Sequence, residues 1–181
     1  ILTKPLGTGT LFAADMQQKA KGRWIEGALK TMVQSNRKAA LCLFSHGASA
    51  CTDVTGFGLL GHTVEMTKAS GVDVEINLDA LPILDGAEAT VRLGILSSLQ
   101  PANVRLRRAI RNQEAARDHI RYPLIFDPQT SGGLLASISP ESAQTCLRAL
   151  HDLGYGAAAI VGRVTAESEH LEPVTLISRP H

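Results

Sequence analysis

The residue types best able to do chemistry are gathered in one run, Thr52-Asp53-Val54-Thr55-Gly56-Phe57-Gly58-Leu59-Leu60-Gly61-His62. A carboxylate precedes two closely spaced glycines and the start of a helical pattern. Gly56 and Gly58 let the backbone turn sharply and approach a ligand closely, while a helix start offers unpaired N–H groups to an anion. The oxygens of Asp53 suit a hard divalent cation. Together these groups fit a phosphate–magnesium unit. A plain strand-to-helix turn whose Asp makes local hydrogen bonds fits the same spacing. No Gly-Lys-Ser/Thr follows at P-loop spacing, and the glycines are not spaced as in a dinucleotide fingerprint.

A second run, Asp127-Pro128-Gln129-Thr130-Ser131-Gly132-Gly133-Leu134-Leu135, concentrates hydroxyls and flexible backbone between two apolar stretches. Thr130, Ser131 and Gly132 can cradle an anion or simply form a wide hairpin turn. A third feature is the basic run Arg105, Arg107, Arg108, Arg111, Arg117 and Arg121, interrupted by Glu114 and Asp118. Such a run is a solvated helical face or a surface for a polyanion or subunit. His62, at a helix start, reads as a capping or packing residue. Cys51 lies beside Asp53, whose charge raises a thiol pKa and disfavours a nucleophile. Cys42 and Cys146 read as core residues. There is no Cys-x-x-Cys pair, and this reading places no cysteine at zinc-ligand spacing from another cysteine or a histidine.

The elements that must hold these groups follow from apolar periodicity. Residues 2–13 suggest an entering strand or extended arm. Ile25, Ala28, Leu29, Met32 and Val33 recur at helical spacing, and a second helical run follows Asn36 to Phe44. Residues 50–54 predict a short strand leading into the first glycine turn. A helix over Leu59 to Met66 stops at Gly71. Val72, Val74, Ile76 and Leu78 alternate with polar residues, which predicts a strand burying that face. A helix from an Asp85 N-cap to Leu93 comes next, then a polar, Arg-rich helical stretch over 97–121. Tyr122–Phe126 and Gly133–Ser139 predict two strands. Ser139-Pro140 opens a helix with the stripe Ala143, Cys146, Leu147, Leu150 and Leu153, and Gly154 closes it. Residues 157–164 and 171–177 predict the last strands. Strand pairs with no helix between them exclude a purely parallel sheet. The expectation is a single α+β domain over 1–181, layered α/β/α, its mixed and largely antiparallel sheet covered by helices.

Composition narrows the function classes. The 181 residues carry 18 Lys and Arg against 17 Asp and Glu, a formal charge of +1, and only 4% aromatics. Neither number suits a protein built to neutralise or stack on nucleic acid. The three cysteines are too few for a disulfide scaffold, which points to a reducing, cytoplasmic setting. No apolar stretch is long enough to span a bilayer. The chain opens without Met and without a signal-peptide pattern, as expected of a piece of something longer.

Taken jointly, Ala50–His62 and Asp127–Leu134 closely resemble the selenophosphate synthetases (selenide, water dikinases). Leu2-Thr3-Lys4-Pro5-Leu6-Gly7-Thr8-Gly9 is similar to the start of that family's C-terminal domain, and Ile160-Val161-Gly162-Arg163-Val164 to a stretch near its end. The resemblance spans essentially all 181 residues. It implies the C-terminal domain fold of the aminoimidazole ribonucleotide synthetase superfamily and a reaction giving selenophosphate, AMP and orthophosphate from ATP, selenide and water. It further implies magnesium as cofactor with Asp53 as a ligand, Thr55, Gly56 and Gly58 on the phosphate side, an N-terminal domain as partner, and a homodimer. The family's nucleophilic Cys or selenocysteine, catalytic Lys, remaining magnesium carboxylates and glycine-rich loop belong to the N-terminal domain. None is present here, so no catalytic residue is assigned and the chain alone is expected to be inactive. Another phosphoryl-transfer enzyme of the superfamily, or a noncatalytic dimerisation or regulatory module, is the alternative.

Overall fold

Helix-forming periodicity and glycine stops account for most of the elements. A computed structural model describes residues 1–178. The helices are α1 (Thr8–Met16), α2 (Gly22–Val33), α3 (Arg37–Ser45), α4 (Gly58–Ser70), α5 (Ala87–Arg92), α6 (Gln100–Val104), α7 (Gln113–Ala116) and α8 (Pro140–Asp152). The strands are β1 (Ala50–Asp53), β2 (Val72–Asn77), β3 (Leu134–Ser137), β4 (Gly162–Ala166) and β5 (Val174–Ile177). Gly71 ends α4 in the left-handed conformation at φ 60°, as an αL cap requires.

The α+β class and mixed sheet hold, with the strands divided between two small sheets. β1 pairs antiparallel with β3, from Ala50 opposite Ser137 to Asp53 opposite Leu134. In the other sheet β2 is central, antiparallel to β4 and parallel to β5. Three apolar clusters result. The largest joins α4, β2 and β5 through Leu59, Leu60, Ile76 and Leu176. A second joins α3, β3 and α8, and a third places Trp24 and Ala28 of α2 against Leu11 and Leu84.

Several local expectations are corrected. Tyr122–Phe126 does not form a strand. Pro123–Phe126 is a 3-10 turn whose Leu124, Ile125 and Phe126 are buried. Proline and a run too apolar to show periodicity leave packing to decide its shape. Only the first residues of the 2–13 arm are extended, with Leu2 bridging Leu135 and Ala159. From Thr8 the segment is helical. The N-cap of α5 is Gly86, and Asp85 instead meets Arg23 at 3.5 Å. Of residues 157–164, only those from Gly162 join a strand.

On β2 the buried side chains are Asp73 and Ile76, while Val72 and Val74 are half-buried. Arg111 Nη2 reaches Asp73 Oδ2 at 2.7 Å, and Ser168 Oγ donates to it at 2.6 Å. The Ser168 hydroxyl, then Arg111, holds the Asp73 carboxyl below its usual range. Arg121 is likewise structural: its Nε donates to Glu88 Oε1 at 2.6 Å and its Nη1 to the carbonyls of Leu78, Asp79 and Leu81. The basic run therefore divides. Arg111 and Arg121 bind the fold together, while Arg105, Arg107 and Arg108 lie in solvent.

Candidate functional site: the turn after β1

β1 ends at Asp53 and the chain turns through Thr55, Gly56 and Phe57 into α4. The turn is built from both sides. Thr55 O accepts from Gly58 N at 3.0 Å and from Gln129 N at 3.0 Å. Val54 N donates to Gly133 O at 2.8 Å, which continues the β1–β3 register into the second loop. The two runs singled out in the sequence thus lie side by side. Gly58 has φ 70°, and a Cβ there would sit 2.8 Å from the Phe126 carbonyl carbon. A Cβ on Gly132 would fall 2.0 Å from Val54 O. Both glycines are required by close approach of backbone to backbone. Gly56 is exposed and faces open space.

Asp53 is exposed, and no hydrogen bond or ion pair engages its carboxylate among the described residues. A carboxylate left open to solvent beside an ordered glycine turn is available to a ligand. The neighbouring Cys51 thiol is exposed, and partial desolvation, with the Asp53 charge adding, holds it above the ordinary thiol value. That is the opposite of what a nucleophile needs.

Thr55 carries the first link of a polar chain. Its Oγ1 lies 3.2 Å from His62 Nε2, and His62 Nδ1 lies 3.1 Å from Glu65 Oε2. In the neutral tautomer whose Nδ1–H donates to Glu65, Nε2 accepts from the Thr55 hydroxyl. The Thr55 oxygen then keeps its lone pairs free. His62 is packed as well as bonded, being buried with its ring 5.7 Å from that of Phe57.

Asn103 is a residue sequence reasoning passed over. Its buried Nδ2 donates to Gly56 O at 2.8 Å and to Phe126 O at 3.0 Å, tying the first turn to the 3-10 turn. Nothing in the sequence around Asn103 marks it, because both partners are distant in the chain.

The second loop is tied to the N-terminal segment through its backbone and through Gln129 and Asp127. Gln129 Oε1 accepts from Gly7 N at 3.0 Å and Thr8 N at 3.3 Å, the entry to α1. Asp127 accepts from Gly9 N at 3.1 Å, Thr10 Oγ1 at 2.8 Å and Gln129 Nε2 at 2.9 Å. Thr130 N donates to Thr8 Oγ1 at 2.9 Å. Ser131 O accepts from the buried Lys4 ammonium at 3.0 Å, and Gly132 O from Asn36 Nδ2 at 2.9 Å. Burial outweighs these donors and pushes the Asp127 carboxyl up to about 6. Thr130, Ser131 and Gly132 therefore border the first turn while their loop clasps the N-terminal segment. A shallow cavity of about 300 Å³ near α6 and α7, lined by Gln100, Arg107, Arg117 and Tyr122, contains none of these residues.

A single carboxylate with a neighbouring hydroxyl fits one corner of a hard, octahedral cation that keeps waters and takes further oxygens from phosphates. It does not make a closed protein cage. Among the described residues, no cluster of three acidic, histidine or cysteine groups includes Asp53.

This fold and this turn define a class. Residues 1–172 match the family model for the C-terminal domain of AIR synthase related proteins, and the chain belongs to that family. Among curated proteins it is 42% identical over 170 residues to the selenide, water dikinase of Geobacter metallireducens, covering 94% of this chain and 49% of that protein. It is 37% identical over 170 residues to the selenide, water dikinase of Caldanaerobacter subterraneus, with the same coverage. The chain spans about half the length of the curated relatives it matches. The fold is also that of the hydrogenase maturation protein HypE (TM-score 0.67, 16% identity, 98% of this chain and 48% of that one). Thiamine monophosphate kinase of Aquifex aeolicus is similar at TM-score 0.51 and 16% identity, over 97% of this chain and 50% of that one. No helix among the described residues is long and apolar enough to cross a membrane.

Proposed function

We propose that this chain is the C-terminal domain of a selenide, water dikinase and forms part of the polyphosphate side of its ATP site. The full reaction converts ATP, selenide and water into selenophosphate, AMP and orthophosphate. The observation that carries the reading is the unengaged Asp53 carboxylate at the lip of an ordered glycine turn, in a chain 42% identical to a selenide, water dikinase.

In this reading Asp53 gives one oxygen ligand to magnesium. Thr55, Gly56 and Gly58 shape the phosphate side, with Gly58 and Asn103 fixing the turn. His62 fixes the Thr55 hydroxyl at 3.2 Å from its Nε2. Bound magnesium supplies charge neutralisation at the phosphate oxygens. The remaining ligands, the nucleophile and the catalytic lysine come from a partner domain. The whole protein works in the cytoplasm as a homodimer. A lone carboxylate holds magnesium weakly, so the 181 residues alone turn nothing over.

The test is selenide-dependent formation of AMP from ATP. The chain alone should stay at background. A protein extended to the length of its relatives should turn over and lose that turnover on Asp53→Ala. Turnover by the 181 residues alone, or an unaffected Asp53→Ala enzyme, overturns the reading.

A further inference from the structure

The second sheet-facing core carries a group of ligand atoms that the proposed function does not use. Cys42 and His46 are four residues apart at the end of α3, one helical turn, so they share a face. This corrects the expectation that no cysteine stands at metal-ligand spacing from a histidine. Cys146, from the middle of α8, packs onto the same face. The two sulfurs and one ring nitrogen of His46 all lie within 4.8 Å of one another. Cys42 Sγ is 3.7 Å from His46 Nδ1. In a tetrahedral site with metal–sulfur bonds of about 2.3 Å and metal–nitrogen bonds of about 2.0 Å, sulfur and nitrogen stand roughly 3.5 Å apart. The Cys42–His46 pair already stands near that spacing, and the Cys146 sulfur lies within 4.8 Å of both.

The donor set selects the ion. Two sulfurs and one imidazole with no carboxylate suit a borderline-soft tetrahedral cation and do not suit magnesium or calcium. We propose that Cys42, His46 and Cys146 form a zinc-class metal site that cross-links α3 to α8, with its fourth position open to water. On binding, each thiol gives its proton to solvent and His46 ligates as the neutral imidazole. His46 Nδ1 also lies 2.8 Å from Cys42 O and 3.3 Å from Ser45 Oγ. The ring thus exchanges a contact at the helix end for the cation. His46 is half-buried at the edge of the cluster, while both cysteines are buried, so the ion enters past the imidazole. The site is independent of the Asp53 turn and stands or falls apart from it.

Calorimetric titration of the reduced 181-residue chain, prepared without a histidine tag, with zinc chloride tests this. One saturable ion per chain is expected, with a rise in melting temperature. Cadmium in place of zinc should give the ultraviolet charge-transfer band of thiolate ligation. Cys42→Ala and Cys146→Ala should abolish the site. His46→Ala, at a half-buried position that leaves both thiols in place, should weaken it by more than about tenfold, the loss that even removal of an outer partner brings. Cys51→Ala should change nothing. If the buried cysteine variants fail to fold, the His46→Ala titration and the cadmium band decide. Absence of a saturable site, unaltered affinity in His46→Ala, or loss of binding in Cys51→Ala overturns the proposal.

Discussion

Asp53 and Asp127 invite comparison, since each is an aspartate standing beside a glycine-bearing loop and the two loops touch. Asp53 is exposed with no protein partner among the described residues. Asp127 is fully buried and accepts from Gly9, Thr10 and Gln129. The same residue type therefore serves opposite ends. One carboxylate is left open to solvent. The other is spent on holding the N-terminal segment against the loop that flanks the site. A carboxylate's role here follows from how many donors the fold supplies to it, a property of the surroundings and not of the local motif.

The largest expected effect belongs to Asp127. The Asp127 carboxyl is raised by burial from 3.8 to about 6. Its contribution to stability is complete below 3.8, where both states are protonated, and is lost as pH rises through 6, because the unfolded state ionises first. The expected loss between pH 4 and pH 7 is about 2.4 kcal/mol, read as the urea unfolding free energy of the wild type against Asp127→Asn, which should lack that slope. Asp73, held low by Ser168 and Arg111, works in the opposite direction, losing its contribution only as pH falls below 3.8.

At pH 5, Asp127→Ala should lower stability by about 2 kcal/mol by stranding the Gly9, Thr10 and Gln129 donors. Asn103→Ala should cost about 1.5 kcal/mol in the same unfolding assay, since the buried Phe126 carbonyl and the part-buried Gly56 carbonyl lose their donor. It should also speed amide exchange at Gly56 and Phe57. The smallest effect belongs to Asp53→Ala, which should move stability by less than about 0.5 kcal/mol. An Asp53 variant as damaging to folding as the Asp127 variant would erase the distinction between the two loops.

Much of this was legible in the chain. The apolar spacing of α2, α3, α4 and α8 marks them, and the short strand ending at Asp53 before a glycine turn is readable because its motif is contiguous. What escaped reading depends on distant partners. The Asp73 side chain is buried against a regular alternation because Arg111 and Ser168 arrive from 38 and 95 residues away. Tyr122–Phe126 curls into a turn because Gly58 and Asn103 pack on it. Cys42 and His46 are neighbours on one helix, but only α8 supplies the third ligand atom. That Lys4, Gly7, Thr8 and Asn36 fasten the backbone and the Gln129 side chain of the second run could not be read from the run itself.

The most direct test of the account is the affinity of manganese, as a spin-active stand-in for magnesium, for a protein extended to its relatives' length. Electron paramagnetic resonance would follow it with ATP present, in wild type and Asp53→Ala. A loss of about tenfold or more in ATP-dependent manganese affinity, with folding intact, is the predicted result. Equal affinity in the two proteins would contradict it.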